Sequence, residues 1–208
     1  MGNNQQVKKR IGFFGGSFDP IHLGHINLAI QILENHSLDH VLFCPAQCSP
    51  HKESSPPEVE FSKRKEMVEL AIEGYSYFSL TSIQENMGEL SFHIDTLMLL
   101  KEKEEYKQAD LFLVLAEDSI EKFYLWKDVY DLCQLAKPLF GTRKEYSIGL
   151  HSYPDENLLP IIKKGLTKTK VMEISSTDVR YRLKKTLYCQ HLLPTKVLDY
   201  IHKHDLYS

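Results

Sequence analysis

Two histidines three residues apart, His22 and His25, follow the string Gly15-Gly16-Ser17-Phe18-Asp19-Pro20. Three residues is close to one helical turn, so both imidazoles can point the same way. Where such a pair straddles a helix start, ring N–H groups and the positive end of the helix dipole converge on an anion. Gly15 and Gly16 let a ligand come close to the backbone, whose amides there are free to meet phosphate oxygens. Gly24, between the histidines, leaves room for a flat ring against the helix. The glycines are not spaced as in a G-x-G-x-x-G dinucleotide loop, and there is no Walker G-K-[ST]. A lone histidine would read as a structural residue; the whole string reads as an anion site.

A second string, Ile174-Ser175-Ser176-Thr177-Asp178-Val179-Arg180, lies far down the chain. Three consecutive hydroxyls at a helix start offer side-chain and amide donors to one anion. Arg180, about one turn further on, is placed to add a bidentate contact to phosphate. The competing reading is plain helix capping by Ser175 or Ser176, with Asp178 favouring the dipole.

The hydrophobic pattern supplies a frame for both strings. Arg10–Phe14 is an apolar run that reads as a buried strand, and Leu23–Leu33 repeats its apolar residues at helical spacing. Val41–Cys44 reads as a strand stopped by Pro45, and residues 46–58, with three prolines and three serines, as a mobile loop. Phe61–Ile72 reads as a helix, Phe78–Ile83 as a strand and Ser91–Tyr106 as a helix capped by Ser91. Asp110–Ala116 is the clearest buried strand, followed by a helix over Ser119–Leu135 broken near Trp126. Pro138–Thr142 reads as a strand, the chain to about Pro160 as irregular, and Val171–Ile174 as the last strand. Helices follow at Thr177–Leu187 and Thr195–His204. Fully apolar strands alternating with helices imply a Rossmann-like, doubly wound α/β sheet, parallel and covered on both faces, with a helical C-terminal end. One domain over residues 1–208 is expected, with a flexible N-terminus to about residue 9 and a helical subregion over 177–208. Ligands of such sheets bind at the carboxyl ends of the strands, where both strings fall.

Composition narrows the classes. With 42% hydrophobic and 25% charged residues, collagen, a disordered tail and a disulfide miniprotein are excluded. No apolar run approaches the roughly 18 residues of a membrane span. Met1–Arg10 has no apolar core for a signal peptide, and Gln6 stands where a myristoylation signal needs Ser or Thr. The four cysteines make no C-x-x-C pair, so reduced thiols in the cytoplasm and no metal site are expected. Residues 1–160 carry a balance of −9 and residues 161–208 one of +6. The basic end either faces an anion or is a solvated helix surface. Its charges are too thinly spread for a DNA-binding arm and lack the aromatics of a single-strand groove, so no nucleic-acid partner is expected.

Together, the His string and the Ile174–Arg180 string resemble the H-x-G-H and I-S-S-T-x-x-R signatures of the nicotinate mononucleotide adenylyltransferases, in the nucleotidylyltransferase superfamily. The resemblance covers nearly the whole chain. Pro50-His51-Lys52 fits the family's P-H-K loop, Ser91-Phe92-His93-Ile94-Asp95-Thr96 its S-Y-T-x-D-T, and Ala116-Glu117-Asp118 its G-A-D. Trp126, Leu193-Pro194, Val197, Tyr200-Ile201 and Leu206-Tyr207 fit further positions.

The resemblance implies transfer of AMP from ATP to nicotinate mononucleotide, giving deamido-NAD and pyrophosphate. By it, His22 and His25 hold the ATP phosphates, with Arg180 completing the catalytic set. Ser175, Ser176 and Thr177 join Arg180 on the leaving β- and γ-phosphates, and the Gly15, Gly16, Ser17 and Phe18 turn also binds ATP. Asp118 reaches the adenosine ribose. Lys52 and Arg143 meet the mononucleotide phosphate, and Trp126 stacks on the pyridine ring. Mg²⁺ bridges the phosphates and does not sit in a protein cage. A homo-oligomer is compatible with the sequence. The departures are His93 for the family's Thr, Ala116-Glu117 for Gly-Ala, and Thr142-Arg143-Lys144-Glu145 for R-P-G. They touch substrate pockets, so two alternatives stand beside the main reading: a nicotinamide mononucleotide adenylyltransferase, and a non-catalytic nucleotide-binding protein of the same fold.

Overall fold

The computed structural model describes residues 8–47, 56–86, 92–142, 153–170 and 172–208. Strands β1 (Arg10–Gly16), β2 (His40–Pro45), β3 (Phe78–Leu80), β4 (Asp110–Ala116), β5 (Ala136–Thr142) and β6 (Leu166–Lys168) form one sheet. Their order is β3-β2-β1-β4-β5-β6, and every pairing is parallel. The helices are α1 (Leu23–Asn35), α2 (Phe61–Ile72), α3 (His93–Glu102), α4 (Glu104–Lys107), α5 (Val129–Leu135), α6 (Leu159–Gly165), α7 (Ser176–Lys184) and α8 (Thr195–Lys203).

Strand alternation divides the core between the two faces. Phe14, Val41, Phe43, Phe112 and Val114 point to one side, with Ile26 and Ile32 of α1, Met67 of α2 and Val197 of α8. Phe13, Leu42, Leu111 and Leu113 point to the other, with Leu97 of α3, Leu132 of α5 and Ile162 of α6. A sheet sandwiched in this way needs apolar residues at successive strand positions, which is why its strands read as unbroken hydrophobic runs. β1 lies beside β4, with Ile11 opposite Leu111. From that seam the chain winds outward in both directions, which opens a crevice at the carboxyl ends of β1 and β4.

Several boundaries differ from the sequence reading. The sixth strand is Leu166–Lys168, where Leu166 pairs with Phe140 and Thr167 with Gly141. Residues 172–174, the described part of the expected strand Val171–Ile174, are not in the sheet, and Met172 is exposed. The edge of β5 was already occupied. α6 takes part of the stretch expected to be irregular. Phe78–Leu80 ends early, and a 3₁₀ turn, Ile83–Asn86, follows. The expected helix over Ser119–Leu135 is a 3₁₀ segment, Glu117–Leu125, followed by α5, so the break at Trp126 is present. The buried Tyr153 hydroxyl accounts for it. It donates to Ile120 O at 3.0 Å and accepts from Tyr124 N at 3.1 Å, the two groups an α-helix would join to each other. Phe92 occupies the N-cap of α3 without a side-chain cap; the expected cap, Ser91, lies outside the described residues, as does most of the 46–58 loop. Among the described residues no helix is long and apolar enough to cross a membrane.

Candidate active site

A cavity of about 490 Å³ opens at the carboxyl ends of β1 and β4. Gly15, Gly16, Ser17, Phe18 and His25 line it from the first string, and Ser176, Thr177 and Arg180 from the second. His93, Asp118 and Trp126 complete the expected residues in its wall. His22 and Ser175 are not part of the lining. Lys52 and Arg143 lie outside the described residues.

The first loop is shaped by its carbonyl groups. Gly16 O accepts from Ala46 N at 2.8 Å, and Ser17 O from Arg64 Nη1 at 2.6 Å. Asp19 O accepts from Arg180 Nη1 at 2.7 Å, and Pro20 O from the Ser176 hydroxyl at 3.0 Å. In a trans peptide the N–H points opposite to the C=O. Tying back the carbonyls of Gly16 and Ser17 therefore directs the amides of Ser17 and Phe18 away from those clamps. Phe18 has φ +46°, the left-handed conformation found where consecutive amides converge on an anion. Burial of its ring against Phe14 and edge-on to His25 holds that conformation.

The two histidines cap α1 reciprocally. His25 N donates to His22 Nδ1 at 3.3 Å, and His22 N donates to His25 Nδ1 at 3.2 Å. Each Nδ1 is thus an acceptor, so the proton of each neutral ring belongs on Nε2. The rings stack with centroids 3.7 Å apart. His22 is buried, and that burial lowers its pKa to about 4, so it is neutral near pH 7. The flat ring that lies over Gly24 is His22 itself: a Cβ there would come 3.0 Å from its Nδ1. His25 faces the cavity, and His22 packs against it.

The second string is more structural than its three hydroxyls suggested. Ser175 Oγ accepts from Asp178 N as the cap of α7, and the Ser176 hydroxyl is spent on Pro20 O. The first-turn amides of Ser176 and Thr177 stand at the α7 N-terminus, beside the Thr177 hydroxyl, which accepts from Arg180 Nη2 at 3.5 Å. Arg180 Nε donates to Glu58 Oε1 at 3.0 Å, and Lys184 Nζ lies 2.6 Å from Glu58 Oε2. Lys184 foremost, then Arg180, holds the Glu58 carboxyl below its usual range. Asp19 is buried; its carboxylate accepts from the Tyr207 hydroxyl at 2.7 Å and from Glu58 N at 2.9 Å.

On the opposite wall, the His93 and Trp126 rings stack at 4.6 Å. A Cβ on Gly15 would lie 2.7 Å from His93 Nε2, so glycine is what lets that ring close over the strand end. Asp118 is exposed at the start of the 3₁₀ segment.

Sequence reasoning missed Arg64. It is 1% exposed, and its guanidinium also donates to Val59 O at 2.9 Å, Ala46 O at 2.8 Å and Gln47 O at 3.0 Å. One side chain thus ties the loop after β1 to the loop after β2 and to the entry of α2. In the sequence it is one of several charged residues in the expected helix Phe61–Ile72. Glu58 and Lys184, and the bond from Tyr207 to Asp19, were missed because these contacts span 122, 126 and 188 residues of sequence.

Fold and cavity define a doubly wound α/β protein with a crevice at the carboxyl ends of β1 and β4. Residues 13–182 match the cytidylyltransferase-like family. The chain is 35% identical to a "Probable nicotinate-nucleotide adenylyltransferase" of Methylacidiphilum infernorum (isolate V4), over 95% of this chain and 92% of that one. It is 33% identical to the nicotinate-nucleotide adenylyltransferase of Bacillus subtilis (strain 168), over 96% and 99%. The nicotinic acid mononucleotide adenylyltransferase of Plasmodium falciparum, solved with NaAD, shares the fold with a TM-score of 0.72 at 24% identity, over 96% and 97%. The chain belongs to the cytidylyltransferase-like family and, within it, to the nicotinate-nucleotide adenylyltransferases.

Proposed function

We propose that this chain transfers AMP from ATP to nicotinate mononucleotide, as a step in NAD synthesis. The observation that carries the reading is a single cavity lined by the Gly15–Phe18 turn, His25, Arg180 and Trp126. A mononucleotide phosphate oxygen attacks the α-phosphorus of ATP. The new P–O bond forms as the bond to the β-bridging oxygen breaks, and pyrophosphate leaves with that electron pair. The nucleophile is already an anion, so no general base is needed. Positioning and charge stabilisation carry the rate.

His25 Nε2–H and the amides of Ser17 and Phe18 meet charge growing on the α-phosphoryl oxygens. Arg180, Thr177 and the first amides of α7 hold the leaving pyrophosphate. His22 acts through His25, fixing its tautomer and ring plane, and Ser175 acts through the α7 cap. Asp118 takes the ribose hydroxyls. Trp126 and His93 take the pyridine ring, with Lys52 and Arg143 on the mononucleotide phosphate. A magnesium ion would arrive on the triphosphate, and the carboxylates lining the cavity leave little to hold it. Asp19 and Glu58 already have partners, which leaves Asp118 among the cavity's carboxylates. Such an ion would supply charge neutralisation to the triphosphate. A cytoplasmic location goes with this reading.

The test is steady-state kinetics with ATP and either nicotinate or nicotinamide mononucleotide, following pyrophosphate and the dinucleotide product. We expect turnover with a marked preference for the nicotinate form. ATP binding without pyrophosphate release under either mononucleotide refutes the reading.

A further inference from the structure

Resting on the proposed adenylyl transfer, the geometry points to Lys184 as a further pyrophosphate-binding residue, with the Glu58 carboxylate acting as the internal anion that occupies its subsite when no nucleotide is bound. Arg180 and Lys184 are four residues apart on α7, so their side chains share one helix face. Two cations so placed repel each other unless an anion lies between them. Here one does. Glu58 presents one oxygen to each, Oε1 to Arg180 Nε at 3.0 Å and Oε2 to Lys184 Nζ at 2.6 Å. Glu58 and Arg180 both line the cavity. Lys184, although one turn further from the α7 N-terminus, therefore reaches back to within contact distance of the cavity wall.

A pyrophosphate group offers the same two-pronged set of oxygens with more charge. It can replace the carboxylate without unfolding the segment that carries it, because Glu58 is anchored by its backbone. Its N–H donates to Asp19 Oδ2 at 2.9 Å, which leaves the side chain free to swing aside. Glu58 and Lys184 are 39% and 45% exposed, so exchange with a solvent-borne anion is unobstructed. The arrangement keeps Arg180 and Lys184 preformed in the empty site, and it costs nucleotide affinity, because binding must displace an existing pair.

Two substitutions test this with opposite signs. Lys184→Met should weaken pyrophosphate binding, measured by calorimetry with pyrophosphate alone, by about five- to tenfold, as for loss of one charge-assisted contact. It should raise KM for ATP by a similar factor and leave KM for nicotinate mononucleotide within about twofold. Glu58→Gln should tighten pyrophosphate by about threefold or more, because the competing charge is gone. Unchanged pyrophosphate affinity in K184M, a rise confined to the mononucleotide KM, or weaker pyrophosphate binding in E58Q overturns the inference. Loss of the proposed activity reads differently: the wild type would fail to turn over ATP with the mononucleotide, whatever the variants bind.

Discussion

Replacing Arg64 with methionine tests whether the loop after β1, proposed to face phosphate, is set by its carbonyl clamps. The guanidinium holds four main-chain carbonyls, at 2.6 Å to Ser17, 2.8 Å to Ala46, 2.9 Å to Val59 and 3.0 Å to Gln47. Methionine fills most of the volume but donates nothing. Each carbonyl left dry costs about 1–3 kcal/mol. The bonds to Val59 and Ala46 are buried, and water can reach the other two more readily. A loss of about 3–5 kcal/mol follows from the same per-group cost, a fall in Tm of roughly 8–15 °C for a chain of this size. Catalysis should fall for a separate reason. Freed from Arg64, the Ser17 carbonyl can rotate, and the Phe18 amide rotates with it. Losing one preorganised donor costs about a hundredfold in kcat/KM. The assay pairs thermal unfolding with kinetics at a temperature where every variant is folded, using Ile162→Ala as the control. Ile162 is fully buried on α6, away from the cavity, and its truncation costs about 2–5 kcal/mol. R64M should lose kcat/KM for ATP while I162A keeps it. Equal catalytic loss in both, or an R64M that is destabilised but fully active, refutes the clamp reasoning.

His25→Ala should reduce kcat by two or more orders of magnitude with the fold retained, checked by circular dichroism; unchanged turnover removes His25 from the transition state. Trp126→Ala should raise KM for the mononucleotide about tenfold, in line with the loss of one stacking contact, and leave KM for ATP alone; an effect confined to ATP overturns the stacking assignment. His22 gives a pH signature. Burial lowers its pKa from 6.5 to about 4 in the folded chain, so the unfolded state takes up the proton first. Its contribution to stability is complete above about pH 6.5 and is lost as pH falls toward 4, up to about 3 kcal/mol. Denaturant unfolding at pH 7 and pH 4.5 should show a steeper loss in wild type than in His22→Gln, and parallel curves would contradict the burial argument.

What was legible in the sequence followed from local rules, and what was not followed from long-range pairing. Asp110–Ala116 announced itself because a strand covered on both faces must be apolar at every position. The His string was legible because a cap, a turn and an anion site all use residues adjacent in the chain. Edge strand Leu166–Lys168 was illegible because three residues bear almost no pattern, and only their pairing with Phe140–Thr142 makes them a strand. The Glu117–Leu125 segment fails as an α-helix because of Tyr153, which no window on its own sequence contains. The same division runs through the site. The sequence pointed to side chains that could touch phosphate, yet several of those hydroxyls serve the scaffold, as Ser175 and Ser176 do. Arg64 runs the other way: a charge that looks solvated is buried, because four carbonyls from three segments need a donor there. An anion site built from backbone amides needs its carbonyls held on the far side. A motif can list the amides, but only the fold can supply the groups that turn them.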